Sequence, residues 1–257
     1  MERDHPHRPR EPDPGNAGGG NANAKTHQAT LKKGSLFTYG LHLMKALMLV
    51  NGELYNPGVL RSRINAEVFD LVLGVDGGAR HAATLCVTLG AIIGDMDSLS
   101  DLEQQGISNV DLISYPVEKD ETDLELALLY AREQGADQIV TVGMMGRRMD
   151  MTIANILLAT HVRLSSCRIE VWHGEQTGWL IKPPGEDISG QPGDMVSLIP
   201  VGGSASGVTT MGMKYPLKDA ELTSGMTWGI SNLIENSSAH ITLAEGLLLA
   251  VHTPERS

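Results

Sequence analysis

Short apolar runs alternate with amphipathic segments between residues 46 and 172. The runs are rich in Val, Ile and Leu and lack a regular apolar–polar alternation, which is typical of parallel strands buried on both faces. Between two of them, apolar residues recur at positions 124, 127, 128 and 131, the spacing of one helical face. This order predicts an α/β fold with a doubly wound, mostly parallel sheet. The predicted strands are residues 46–50, 69–75, 91–93, 110–115, 138–142 and 168–172.

The composition of the chain changes after the last of these strands. The C-terminal part is rich in Gly, Ser and Thr, with short apolar runs at residues 195–199, 240–243 and 247–251. Turn sequences that contain Pro and Gly separate the early runs, which favours strands joined by tight turns. We therefore expect an α/β domain over residues 44–175, followed by a small all-β, sandwich-like domain over residues 176–257.

Residues 1–43 differ in composition from both predicted domains. They are dominated by Pro, Gly, Asn, Ala and charged residues, and such a segment buries too little apolar surface to offset its ordering entropy. We expect a disordered N-terminal extension. Met44 immediately precedes the first predicted strand, so two interpretations stay open: the protein starts at Met44, or the extension is a short functional tail.

The chain is acidic, with 31 Asp and Glu against 20 Lys and Arg and a net charge of −11. Nucleic acids are bound by basic surfaces, so we expect no nucleic-acid partner. A small phosphate compound stays compatible, because backbone N–H groups, a few cations and a metal can hold it. Two widely separated cysteines, no bilayer-spanning apolar run and no secretory signal favour a cytoplasmic protein with no membrane partner.

Two acidic segments directly follow predicted strands. In Asp76-Gly77-Gly78, the glycines allow a tight turn and close approach of a ligand to the backbone, although an ordinary turn also explains this sequence. In Asp95-Met96-Asp97-Ser98, two nearby carboxylates are costly unless a cation lies between them. Mg²⁺ is the usual cation near phosphates. Capping of the next helix by Asp97 or Ser98 is the competing interpretation and is compatible with metal binding.

Two further segments carry charge next to predicted helices. Residues 119–125 follow a strand, and Thr122 or Asp123 would cap the helix that begins there, with an acidic first turn that suits the helix dipole. Their position as a third acidic segment after a strand favours a divalent-metal site. Residues 143–150 combine glycines with Arg147 and Arg148, which suits a phosphate-binding loop or simply a basic loop before a helix.

Together these segments resemble the thiamine pyrophosphokinase family. The family's motifs Asp-Gly-Gly-Ala, Gly-Asp-x-Asp-Ser, Lys-Asp-x-Thr-Asp-x-Glu and Gly-Gly-Arg-x-Asp-His correspond, in this order, to residues 76–79, 94–98, 119–125 and 146–151. Four C-terminal segments are similar to the family's β-domain signature, at residues 207–210, 212–217, 229–232 and 245–249. The resemblance extends from Leu47 to Val251.

The resemblance implies an ATP-dependent diphosphotransferase. The thiamine hydroxyl would attack the β-phosphorus of ATP, giving thiamine diphosphate and AMP. An Mg²⁺ cofactor, thiamine and ATP as the partners, and a homodimer with sites between subunits are also implied. Residues 44–175 would be the nucleotide-binding catalytic domain, and residues 176–257 a β-domain that contributes to thiamine binding and dimerisation.

The resemblance also assigns roles to residues. Asp123 is the favoured acceptor of the hydroxyl proton. Trp228 is expected to lie in the core, and the alternative is that it forms an aromatic platform for thiamine. The catalytic and metal-binding residues are Asp95, Asp97 and Asp123. The nucleotide-binding residues are Asp76, Gly77, Gly78, Lys119, Thr122 and Arg148. The thiamine-binding residues are Asp150, Ser231 and Asn232.

Two positions depart from the family pattern: Arg147 replaces the second glycine of Gly-Gly-Arg, and Met151 replaces the histidine. If the first position needs a positive φ, Arg147 is strained, and glycine there should preserve or raise activity. If the backbone has adapted, Arg147 can bind the polyphosphate beside Arg148. The first outcome is favoured, because Arg148 already occupies the family's arginine position.

Two other functions stay open. A pyrophosphokinase for another alcohol, such as hydroxymethylpterin, would use a similar acidic cleft. A non-catalytic thiamine or nucleotide sensor would explain the departures at Arg147 and Met151, but it has no evident reason to retain so costly a group of carboxylates. A Walker-type kinase is disfavoured, because the chain lacks a Gly-x-x-x-x-Gly-Lys-Ser/Thr sequence.

Overall fold

Six parallel strands form one half of the main sheet in the computed structural model, which describes residues 43–94, 110–115 and 118–255. Each corresponds to a predicted apolar run, so the predicted parallel sheet is confirmed. The strands are β1 (Met44–Leu49), β2 (Leu71–Val75), β3 (Ala91–Gly94), β4 (Asp111–Ser114), β5 (Ala136–Val142) and β6 (Arg168–His173). Their spatial order is β6-β5-β1-β2-β3-β4.

Helices cover both faces of this half of the sheet. In the described part of the chain they are α1 (Pro57–Asn65), α2 (His81–Leu85), α3 (Asp123–Glu133) and α4 (Met149–Leu157). Helix α3 packs its predicted apolar face, including Leu128, into one core with Met48, while α1 and α2 pack into a second core with Leu47 and Leu49. Alternate residues of β1 therefore enter different cores, which explains its unbroken apolar sequence.

The C-terminal strands extend the main sheet and add a second one. They are β7 (Gln176–Ile181), β8 (Gly185–Ser189), β9 (Met195–Pro200), β10 (Ala205–Met211), β11 (Ala220–Leu222), β12 (Asn232–Leu233), β13 (Ser238–Thr242) and β14 (Leu248–Thr253). Within the described residues, the main sheet has ten strands in the order β12-β9-β14-β7-β6-β5-β1-β2-β3-β4, and the second sheet has the order β11-β10-β13-β8. Residues of both sheets, such as Ile181 and Ile241, share a third core.

The fold class is as predicted, a parallel-rich α/β sheet with a second, antiparallel sheet. The predicted domain boundary at residue 175 falls in the turn between β6 and β7, which pair in antiparallel orientation, so the main sheet is continuous across it. Within the described ranges, no helix combines the length and apolarity needed to cross a bilayer. The predicted disordered extension lies outside the described residues except for Leu43, and so do Asp95 and Asp97.

Candidate active site

A cleft of about 600 Å³ opens at the carboxyl ends of β1, β2 and β5. The chain proceeds from β1 to β2, β3 and β4 in one direction, while β5 and β6 lie on the other side of β1. Ligands of doubly wound sheets bind at such a reversal of strand order. Five residues predicted from three separate segments line this cleft together: Asp76, Lys119, Thr122, Asp123 and Arg148.

Asp76 follows β2 in an unusual backbone conformation. Its φ is 48°, in the left-handed region that few residues other than glycine and Asn or Asp adopt. Asn51 Nδ2 donates a hydrogen bond to Asp76 Oδ2 at 3.1 Å. Gly94, at the end of β3, approaches so closely that a Cβ there would lie 3.2 Å from the Asp76 Cα. Asp76 is therefore held at the cleft by both neighbouring strands.

Arg80 fixes the loop that follows β1. Its terminal nitrogens donate to the carbonyl oxygens of Gly77 (2.9 Å), Gly52 (3.1 Å) and Asn51 (3.2 Å), and also to Asn51 Oδ1. Asn51 in turn donates to Asp76. The Arg80 guanidinium thus holds the loop after β1 in position at the cleft.

The same loop is joined to the segment after β5. Gly52 N donates to Gly143 O at 2.8 Å, and Glu53 N donates to Met145 O at 2.7 Å. His81 Nε2 donates to Gly52 O at 2.9 Å. Burial lowers the pKa of His81, and the charge of Arg80 lowers it further, against the opposing effect of this hydrogen bond. These bonds tie the cleft floor to the core on both sides of the strand-order reversal.

The start of α3 carries the charged pair of the cleft. Thr122 is its N-cap residue, and its Oγ1 accepts a hydrogen bond from Glu125 N at 3.2 Å, so the predicted capping is confirmed. Lys119 Nζ lies 2.5 Å from Asp123 Oδ1, and both side chains are largely buried. The capping interaction and the cleft lining thus occur in the same segment.

The loop before α4 places two arginines at the cleft. Arg148 Nε donates to Asp150 Oδ1 at 3.1 Å, and a second contact joins Nη2 to Oδ2. The hydrogen bond from Arg148 lowers the pKa of the exposed Asp150 carboxyl. Arg147 also lines the cleft, and it is not among the residues with positive φ. The predicted strain at Arg147 is therefore wrong, because the backbone accommodates a side chain here.

Other predicted residues lie elsewhere. Gly77 and Gly78 belong to a 3-10 helix (Asp76–Arg80) and pack against the end of β1, where a Cβ on Gly78 would lie 2.2 Å from Leu49 O. Their small size serves this packing. Ser231 and Asn232 lie at β12, the far edge of the main sheet from β4. The Asn232 amide bonds to the backbone N and O of Tyr215.

Trp228 corrects another expectation. It is 62% exposed, whereas a core position was predicted. It lies in the loop between β11 and β12, outside both sheets, so no strand directs its side chain into a core. The alternative role as an aromatic platform is thus open to it.

The cleft lining includes polar residues that had not been predicted as site residues, among them Asn51, Arg80 and Asn155. Asn155 is buried and donates to Met144 O at 3.1 Å, while its Oδ1 has no partner in the described part of the chain. A signal for Asn51 existed, because Asn51-Gly52 directly follows the first strand as the other segments follow theirs. Arg80 carried no such signal, since its partners are mostly 28 or 29 residues away.

The donor types at the cleft suit Mg²⁺, which prefers carboxylate oxygens. Asp76 and Asp123 both line the cleft, and Gly94, which contacts Asp76, immediately precedes Asp95. Within the described ranges, no group of three His, Cys, Asp or Glu side chains is arranged to hold a metal. The described residues thus provide oxygen ligands of the right kind but not a complete set.

Comparisons with known proteins agree with this architecture. The model of the thiamin pyrophosphokinase catalytic domain matches residues 65–171, and that of the thiamin pyrophosphokinase vitamin B1 binding domain matches residues 184–248. Thiamine pyrophosphokinase of Bacillus subtilis is 32% identical over 189 residues, which are 72% of this chain and 88% of that protein. Thiamine pyrophosphokinase 1 of Oryza sativa is 25% identical over 172 residues, which are 62% and 64% of the two chains.

Solved structures of thiamin pyrophosphokinases are also similar to this chain. The crystal structure of thiamin pyrophosphokinase from Geobacillus thermodenitrificans has a TM-score of 0.70 at 27% identity, covering 83% of this chain and 99% of that one. The yeast enzyme, at 17% identity, shares the fold with a TM-score of 0.65 over 83% and 87% of the chains. With both family models matched in order on the predicted motifs, this chain belongs to the thiamine pyrophosphokinase family.

Proposed function

We propose that this protein transfers the diphosphate group of ATP to the hydroxyl of thiamine, giving thiamine diphosphate and AMP. The observation that carries this proposal is the cleft at the strand-order reversal, which gathers Asp76, Lys119, Asp123 and Arg148 from three family motifs. The match to the vitamin B1 binding domain favours thiamine over a pterin alcohol as acceptor.

The cleft residues supply positioning and charge neutralisation, which is most of what phosphoryl-type transfer asks of a protein. The thiamine oxygen forms a bond to the β-phosphorus as the bond from that phosphorus to the α–β bridging oxygen breaks, and AMP leaves. Asp123 accepts the hydroxyl proton, and Lys119, its partner at 2.5 Å, steadies the polyphosphate. Mg²⁺, held by Asp123 with Asp95 and Asp97, would neutralise charge on the transferred group.

We also propose that the functional unit is a homodimer. Ser231 and Asn232 are separated from β1 by five strands of the main sheet. At about 4.8 Å per strand, β12 and β1 lie roughly 29 Å apart. That separation is too large for one thiamine to contact both β12 and the cleft of the same chain. A second chain can bring its β12 to this cleft.

Two exposed apolar surfaces support the dimer. The first, the α4 stripe, consists of Met149, Ile153 and Leu157, which lie on one face of the helix that borders the cleft. The second, the β12 patch, consists of Met226, Trp228 and Ile230. Contiguous exposed apolar residues mark interaction surfaces. In a two-fold dimer, each surface of one chain can cover the other surface of its partner. We further propose a cytoplasmic location, on the basis of cysteine usage.

The test is incubation of the protein with ATP, Mg²⁺ and thiamine, followed by chromatography of the products. Thiamine diphosphate and AMP in equal amounts are expected. ADP with thiamine monophosphate would contradict the assigned transfer. Calorimetric titrations with thiamine and with hydroxymethylpterin compare the acceptors, and tighter binding of the pterin alcohol would favour the alternative function.

A further inference from the structure

Among the residues that the structure describes, three arginines line the cleft, namely Arg80, Arg147 and Arg148, and they differ in their partners. Both terminal nitrogens of Arg80 donate hydrogen bonds to oxygens of Asn51, Gly52 and Gly77. Breaking these bonds would release the loop after β1 and, through Asn51, the hydrogen bond to Asp76. Arg80 is therefore a positioning residue and not an available phosphate ligand.

Arg148 has a carboxylate partner. Its guanidinium faces Asp150 through two contacts, so one edge of its hydrogen-bonding fork is occupied and its charge is locally compensated. Both side chains are mostly exposed, at 72% and 65%. A polyphosphate would have to compete with Asp150 for this fork, because Arg binds carboxylate and phosphate with the same geometry.

Arg147 is different from both. Within residues 43–94, 110–115 and 118–255, its side chain forms no hydrogen bond or ion pair, although it lines the cleft. The backbone directly before Arg147 is anchored by two contacts of Gly146. Its N donates to Thr152 Oγ1 at 3.3 Å, and a Cβ on Gly146 would lie 3.2 Å from the Gly52 Cα. A fixed backbone thus presents an uncompensated guanidinium to the cleft.

We propose that Arg147 is the arginine of this loop that binds the polyphosphate of the nucleotide, an inference that rests on the proposed function. The family motif that this loop resembles has glycine at this position. The planar guanidinium matches two phosphate oxygens at once, and a charged pair in a partly enclosed cleft gains more than one in open solvent. Arg148, at the family's arginine position, then acts mainly to hold Asp150.

The experiment measures nucleotide binding without turnover. The probe is the Mg²⁺ complex of α,β-methylene-ATP, whose carbon bridge blocks transfer, titrated calorimetrically into wild type, Arg147→Gln, Arg147→Lys and Arg148→Gln. We expect Arg147→Gln to weaken binding at least tenfold, equivalent to about 1.4 kcal/mol. Arg147→Lys should recover part of this loss, and the effect of Arg148→Gln should be smaller. AMP, which lacks the β- and γ-phosphates, should bind wild type and Arg147→Gln alike.

The matched control is Arg163→Gln, which removes the same charge from an exposed pair with Glu133 outside the cleft. It should bind the analogue like wild type. Equal affinities for wild type and Arg147→Gln would overturn the assignment, as would a larger loss in Arg148→Gln. A wild-type protein that fails to bind the analogue would overturn the proposed function as well, so the two failures are distinguishable.

Discussion

Asp123 combines a position at the start of α3 with an ion pair to Lys119 inside the cleft. We predict that Asp123→Ala lowers the rate of the chemical step by about a hundredfold or more, the usual scale for losing one preorganised electrostatic group. The variant should still fold, because Thr122 still caps the helix, but its melting temperature should fall, since Lys119 loses its carboxylate partner. Rapid-quench single-turnover assays measure the rate. Glu133→Ala, at the exposed end of the same helix, is the control, and a near wild-type rate in Asp123→Ala would contradict its role.

A second carboxylate, that of Asp194, stabilises the fold and lies far from the cleft residues in the sequence. Its oxygens accept hydrogen bonds from Gln191 N and Glu255 N, each at 2.8 Å, and Oδ2 lies 2.9 Å from His252 Nε2. Burial alone would raise the pKa of Asp194, but these partners outweigh burial and hold its pKa below the usual range. The stabilisation is therefore complete above the unfolded pKa of about 3.9 and is lost as pH falls through the lower folded value.

We predict that Asp194→Asn lowers the free energy of unfolding by about 2–3 kcal/mol at pH 7, the scale of hydrogen bonds to a charged group. The difference from wild type should shrink as the pH falls below about 4, since the wild-type carboxyl becomes protonated as well. Urea denaturation across this pH range measures both effects. Asp187→Asn, an exposed partner of His240, should change stability by less than about 0.5 kcal/mol. A constant difference at all pH values would exclude the ionic explanation.

The loop after β1 and the loop after β5 meet without space for a side chain between them. A Cβ on Gly52 would lie 2.3 Å from both Gly143 O and Met145 O. We predict that Gly52→Ala destabilises the protein by about 1–3 kcal/mol, because backbone must move to relieve the overlap. Nucleotide binding should weaken too, since these loops form the cleft floor. Calorimetric melting and analogue binding measure the two effects.

The matched control is Gly58→Ala in α1, where the nearest atom to the added Cβ is 4.0 Å away. Alanine is the better helix former, so this change should be neutral or stabilising by up to about 1 kcal/mol. If Gly52→Ala were as stable as Gly58→Ala, the close approach of the two loops would be incorrect.

The elements differ in how well the sequence predicted them. The parallel strands were predictable because burial on both faces leaves unbroken apolar runs, as in β1. Helix α1 was not, because only Leu60 and Ile64 of its residues are buried, and two residues make no periodic pattern. The pairing of β7 with both β6 and β14 was not predictable either, because alternation specifies which face is buried but not which strand lies alongside.

The cleft and the β12 patch lie at strands that are separated by several others in one sheet. The motif spacing placed charged residues at the strand ends correctly, since parallel strands bring their carboxyl ends to one edge. It could not place Trp228, whose loop belongs to neither sheet. Exposed apolar residues on α4, beside the cleft, and in the loop before β12 are compatible with an arrangement in which one chain completes the site of another.

Two variants, each lacking one part of the proposed site, test whether one chain completes the site of another. Asp123→Ala lacks the cleft carboxylate, and Trp228→Ala lacks an exposed side chain of the β12 patch. Each alone should be nearly inactive. When the two are co-expressed with different tags and the heterodimer is purified, one of its two sites is intact, so about half of the wild-type activity should return.

The informative control pairs wild type with a chain that carries both substitutions. If sites form between chains, each site of this heterodimer contains one defective part, and it should be nearly inactive. If each site lies within one chain, the results reverse: the wild-type chain supplies about half of the activity here, and the heterodimer of single variants is inactive. Each heterodimer keeps one Asp123 and one Trp228 and has alanine in place of the other Asp123 and the other Trp228. Only the distribution of these side chains between the chains differs, so the pair of assays decides where the site is assembled.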